Sequence, residues 1–185
     1  MDASIISGRA APDTVPIPGE PGRTPFSTDA LYAEAARILS QSEAVNILSC
    51  SANKEDHQFL EQALGNYARW PKTFQPVLYK CFDLAPALKL LGRVKFAIVL
   101  CDQEIPGTWQ QLLAQIQVLP NTQFLIVTSR LADEQLWAEA LNIGAYDVLA
   151  KPFDVDEVIR VVISAWNQWT YQQNFFLQSR NVMRA

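Results

Sequence analysis

After Glu43 the chain alternates between short, nearly continuous apolar runs and longer stretches whose apolar positions recur at helical spacing. Val45–Cys50, Phe74–Lys80, Phe96–Cys101, Phe124–Thr128 and Asp147–Ala150 read as strands. Between them the spacing predicts helices over Asp56–Ala68, Ala85–Leu91, Thr108–Val118 and Asp133–Asn142. Phe59, Leu60, Ala63 and Leu64 share one side of the first helix, and Trp109, Leu112, Leu113 and Ile116 one side of the third. Gly144 follows the fourth in the C-cap role, and Pro120-Asn121 opens the strand before it. A last helix carries Val155, Val158, Ile159 and Val162 as its core stripe.

No hairpin signal joins any of these strands, and each pair is separated by enough chain for a crossover. Successive βα units of this kind require a parallel sheet with right-handed connections and helices on both faces. The uninterrupted run Phe96–Cys101 fits a strand buried on both sides. The expected fold class is therefore α/β, a doubly wound five-stranded parallel sheet of flavodoxin-like order 2-1-3-4-5. Ligands in such sheets sit beyond the carboxyl ends of the strands, where the strand order reverses. That rule selects Ser51, Ala52, Asp102, Thr128 and Lys151.

The flanks differ from this core. Residues 1–26, rich in Pro and Gly, cannot repay their ordering entropy and are expected to form a flexible leader. An amphipathic helix is predicted over 27–43, with Ser27 or Thr28 as N-cap and Leu31, Tyr32, Ala35, Ile38 and Leu39 on one face. The α/β domain spans 44–168, and 169–185 forms an aromatic helical extension. Trp166, Trp169, Phe175, Phe176 and Leu177 on that helix are expected to pack on the 27–43 helix or to form a homodimer or partner surface.

Composition narrows the function. Apolar residues make up 49% of the chain, sufficient for one core, and a formal charge of -4 excludes a nucleic-acid footprint or a cationic membrane surface. No apolar run approaches the roughly twenty residues of a membrane span, and no signal segment opens the sequence, so a cytoplasmic location is expected. Cys50, Cys81 and Cys101 form no CxxC pair or metal cluster and read as reduced thiols. His57, the single histidine, is expected to be exposed at the start of the first helix. The absence of a Gly-rich loop after the first strand argues against a flavin or nucleotide enzyme.

The most specific segment is Gly144-Ala-Tyr-Asp-Val-Leu-Ala-Lys-Pro-Phe153, a strand ending in Lys151-Pro152. Upstream, Asp102-Gln-Glu-Ile-Pro106 follows the buried strand, and Ile126-Val-Thr-Ser129 closes the fourth with Thr128. Over Val45 to Trp166 the chain resembles the response-regulator receiver domains of two-component signalling. The resemblance implies that Asp102 is a phosphoacceptor, Thr128 the hydroxyl that contacts phosphate and Lys151 the phosphate-sensing lysine. An acyl phosphate on a carboxylate needs such fixed donors and cations. One ammonium about 4 Å from a phosphoryl oxygen contributes about 4 kcal/mol at an effective dielectric near 20. In the family a magnesium ion supplies the rest.

Two positions depart from that pattern. Ser51 and Ala52 stand where the resemblance places two metal-organising carboxylates, leaving Asp102 and the Glu104 carbonyl as magnesium donors. Asn53, Glu55, Asp56 and Glu104 are the nearby groups that could rebuild an oxygen site. Val148 replaces the aromatic ring with which the family reports phosphorylation. The chain is therefore expected to be a stand-alone pseudo-receiver without an effector domain. It would have no enzymatic activity beyond self-phosphotransfer and at most weakly held magnesium, and would act through contact with a histidine kinase or another signalling protein. Lys151 is expected to pair with Asp102 as a structural salt bridge. The alternative is a receiver that accepts phosphoryl on Asp102 with a remodelled metal site.

Overall fold

The computed structural model describes residues 44–119 and 123–182, with 176–182 in backbone only. The leader over 1–26, the helix over 27–43, the Pro120-Asn121 turn and the side chains of Phe176 and Leu177 lie outside the described residues. In chain order the elements are β1 (Val45–Cys50), α1 (Lys54–Gly65), β2 (Pro76–Cys81), α2 (Leu84–Leu91), β3 (Ile98–Asp102), α3 (Trp109–Val118), β4 (Phe124–Ser129), α4 (Glu134–Ile143), β5 (Asp147–Ala150) and α5 (Val155–Val182). The strands form one parallel sheet in the order β2-β1-β3-β4-β5, as expected.

Alternation along the strands divides the core into two layers. Leu48, Val99, Leu125, Val127 and Val148 face α2, α3 and α4. Ile47, Ile98, Leu100, Ile126 and Leu149 face α1 and α5, meeting Leu60 and Leu64 on one helix and Val158, Val161 and Val162 on the other. The same parity carries Ser49, Ser51, Asp102, Thr128 and Lys151 toward the α1 and α5 layer. The sheet thus collects the candidate site on one side before any specific contact is considered.

Several boundaries move from their predicted places for identifiable reasons. Phe74 lies before β2 in a turn, its amide bonded to the Pro71 carbonyl and its ring stacked on Trp70 and set edgewise against Trp166. Gly144 caps α4 with φ 105°, a left-handed geometry that favours glycine, as predicted. The α5 helix continues unbroken through residue 168, and Lys95 hydrogen-bonds Gln173 while its ammonium lies over the Trp169 ring. Among the described residues no helix is long and apolar enough to cross a membrane.

The most consequential shift is in α1, which begins at Lys54 rather than Asp56. Asn53 is its N-cap, accepting a hydrogen bond from the Glu55 amide. Asp56 and His57 are both buried, His57 standing three and seven residues before Leu60 and Leu64 on the core-facing stripe. The expectation of an exposed His57 is corrected here, since the ring is only 2% exposed.

Candidate functional site

β3 delivers Asp102 and β5 delivers Lys151 by the register of the sheet. Asp102 is paired with Thr128 across β3 and β4, and the Lys151 amide donates to the Ser129 carbonyl. The Lys151 ammonium lies 2.8 Å from Asp102 Oδ2, so the sequence-predicted pair is formed. It also lies 2.5 Å from Asp56 Oδ2, so an acid expected only as an oxygen ligand of a rebuilt metal site is here an ion-pair partner. All three side chains are at most 10% exposed, so this is a desolvated ion cluster rather than a surface pair.

Ser51 completes the cluster from the end of β1. Its hydroxyl lies 2.6 Å from Asp56 Oδ2 and 3.1 Å from Asp102 Oδ2, and its oxygen accepts the Asn53 amide. A hydroxyl has one proton to donate, and Asp56 is the nearer acceptor. The other Asp102 oxygen, Oδ1, accepts the Glu104 amide, which pins the loop after β3. Ala52 is exposed and contributes no polar side chain.

Thr128 is brought beside Asp102 and is buried, yet among the described residues its hydroxyl makes no hydrogen bond to Asp102, Asp56 or Lys151. Neighbouring Ser129 points to the opposite layer and donates to Gln103 Oε1 at 2.6 Å. Val148 is fully buried among the α3 and α4 side chains.

Beneath the cluster, His57 fixes the backbone that carries Ser51. Its Nε2 lies 2.9 Å from the Ser51 carbonyl oxygen and its Nδ1 2.9 Å from Ser49 Oγ. A carbonyl can only accept, so Nε2 must carry the proton and Nδ1 of the neutral ring accepts from Ser49. Burial pushes the imidazole below its ordinary value; the bond to the Ser51 carbonyl and the nearby Asp56 carboxylate oppose that shift. His57 is thus a structural neutral imidazole bonded at both nitrogens. Its position was legible in the helical spacing, since His57 stands three and seven residues before Leu60 and Leu64 on one face of α1.

The cysteines form a row across three strands, with Cys50 in register with Cys81 on one side and Cys101 on the other. All are buried and free. Burial pushes the Cys101 thiol up to about 12, and the same cause, reinforced by the neighbouring thiols, raises Cys50 further. Thiols held this firmly protonated are poor nucleophiles and poor metal ligands.

The donor set does not fit a divalent cation as it is arranged. The facing oxygens of Asp56 and Asp102 already share one ammonium and one hydroxyl, and Asn53 is occupied in capping α1. Among the described residues no three His, Cys, Asp or Glu side chains converge as metal ligands. The site can hold Lys151 in place, and a shallow cavity of about 280 Å³ lined by Asn53, Glu55, Asp56, Arg130, Lys151 and Pro152 opens above it.

The family model described as response regulator receiver domain matches residues 54–163. The signal receiver domain of an HD domain-containing protein from Pseudomonas fluorescens Pf-5 is 27% identical over 70% of this chain and 99% of its own, with a TM-score of 0.58. A putative LuxO repressor receiver domain from Vibrio parahaemolyticus is 14% identical, covers 72% of this chain and 98% of its own, and has a TM-score of 0.64. A putative response regulator from Chloroflexus aurantiacus J-10-fl is 19% identical over 68% of this chain and 99% of its own, with a TM-score of 0.59. The last two likenesses concern the fold alone. No curated protein matches the chain.

Proposed function

The chain belongs to the response regulator receiver domain family, and from that premise we propose that it is a pseudo-receiver acting by protein-protein contact. The observation that carries this reading is the Lys151 ammonium, 2.8 Å from Asp102 and 2.5 Å from Asp56. A fixed cation occupies the space between the two carboxylates, where a divalent ion would otherwise have to neutralise a transferring phosphoryl group. Ser51 and Ala52 supply no carboxylate to compete with it. Val148 has no ring to swing in response to a change at Thr128, so the usual aromatic read-out is absent.

Signalling would then pass through surfaces rather than through a change of charge at Asp102. The α5 helix offers such a surface, since Tyr171 is 73% exposed. A histidine kinase or another signalling protein is the expected partner class.

Asp56 also favours a second reading, in which Asp102 is phosphorylated with a remodelled metal site. Two carboxylates do face one cavity, and Lys151 would have to swing aside to free them. Incubation of the folded chain with acetyl phosphate and magnesium, followed by intact mass, separates the two. The pseudo-receiver reading expects no phosphoryl adduct. An adduct that disappears in Asp102→Asn overturns it.

A further inference from the structure

We propose that Asp56 is an internal substitute for the phosphoryl group, a positioning residue whose carboxylate holds Lys151 and keeps external oxyanions from Asp102. The inference rests on the receiver reading above and extends it to a residue outside the family motif. A phosphoryl group on Asp102 would need an ammonium and a hydroxyl donor. Asp56 engages the Lys151 ammonium at 2.5 Å, sharing it with Asp102, and receives the Ser51 hydroxyl at 2.6 Å. Among the described residues the hydroxyl of Thr128, which lies beside Asp102, makes no bond to Asp56.

Asp56 reaches this position through local structure. The Asn53 cap starts α1 early enough to put Asp56 at its third residue, turned inward and 8% exposed. A carboxylate there also gains from the positive end of the helix dipole. Its oxygen and that of Asp102 share one ammonium and one hydroxyl, so a phosphoryl group added to Asp102 would bring further negative charge beside Asp56. Stability alone does not account for this arrangement, because buried ion clusters are commonly no more stabilising than apolar packing of the same volume.

The test compares the folded wild-type chain, Asp56→Asn and the double variant Asp56→Asn/Asp102→Asn with acetyl phosphate, scored by intact mass. In the reaction a carboxylate oxygen of Asp102 attacks phosphorus, the bond from phosphorus to the acetate oxygen breaks, and acetate leaves with its electron pair. Asp56→Asn should label at least about tenfold faster than wild type, the barrier change expected from removing one adjacent charge. The label should vanish in the double variant, and Asp56→Glu should behave as wild type. Equal or slower labelling of Asp56→Asn overturns the proposal.

The ratio decides even if wild type is itself labelled, in which case the pseudo-receiver reading fails and the role of Asp56 stands or falls separately. If Asp56→Asn does not fold, nitrogen-15 spectra of the wild-type lysine ammonium groups provide the second measurement. Slowly exchanging Lys151 protons with a coupling to the Asp56 carboxylate support the proposal. A Lys151 signal coupled to Asp102 alone refutes it.

Discussion

The two halves of the pocket are built by different means. Asp102, Thr128 and Lys151 occupy positions set by the ladder of β3, β4 and β5, and all three have the residue types of the family motif. Ser51, Asp56 and His57 are placed by the end of β1 and the cap of α1, and none of them matches it. Sheet register determines where the pocket lies, whereas the start of one helix determines which charges meet inside it. The chemistry of the site can therefore change without disturbing the fold, because the altered residues contribute little to either hydrophobic layer.

Replacing residues on each side should expose that division. The largest effect is expected from Lys151→Ala, which leaves Asp56 and Asp102 buried without a counter-charge. Breaking such a cluster from one side costs about 3–5 kcal/mol, measurable by urea unfolding. A loss below 1 kcal/mol would show that the cluster is hydrated and would weaken the comparison.

On the β1 and α1 side, His57→Leu strands the Ser51 carbonyl and the Ser49 hydroxyl in a dry setting, for an expected loss of about 2–3 kcal/mol. The same residue gives a pH dependence of definite sign. Its folded pKa lies below the ordinary 6.5, so below that value the unfolded chain binds a proton that the folded chain does not. Stability should be fully present above pH 6.5 and fall as the pH drops toward the folded value, by up to about 1.4 kcal/mol per pH unit. Thermal melts of wild type and His57→Leu should diverge above pH 6.5 and converge below it. Parallel curves would mean that folding leaves the His57 pKa at its unfolded value.

Ser51→Ala removes one hydroxyl from the cluster while Lys151 continues to bridge the acids, so a smaller loss of about 1–2 kcal/mol is expected in the same unfolding assay. The smallest effect should come from Lys80→Ala. Its 2.8 Å pair with Glu61 lies outside the ion cluster and is substantially exposed, and is expected to contribute less than about 1 kcal/mol, declining further with salt. An effect as large as that of Ser51→Ala would show that such losses are not specific to the pocket.

The contrast also explains what the sequence revealed. Apolar runs and the lack of hairpin signals were sufficient for the parallel sheet, because burial on both faces leaves few alternatives for Phe96–Cys101, while the order came from the flavodoxin-like pattern. The strand-end residues Asp102, Thr128 and Lys151 followed from topology, and the pairing of Lys151 with Asp102 from charge. The burial of His57 and the reach of Asp56 were missed because both are polar: His57 stands in phase with Leu60 and Leu64 on the core face of α1, but its type gives no apolar signal. Asp56 meets Lys151 across 95 residues of chain, a contact that periodicity does not carry. Phe74 illustrates the same difficulty, its apolar character serving an aromatic cluster with Trp70 and Trp166 rather than a strand.

Under the pseudo-receiver reading, Lys151 shared by Asp56 and Asp102 leaves neither carboxylate free for a divalent cation. Titration of the folded wild-type chain with magnesium, followed through the carboxyl carbon shifts of Asp56 and Asp102, tests it directly. The expected result is no saturable shift at either carboxylate, with the Lys151 ammonium signal unchanged. Saturable, concerted shifts of both carboxylates with loss of the Lys151 contact would contradict it.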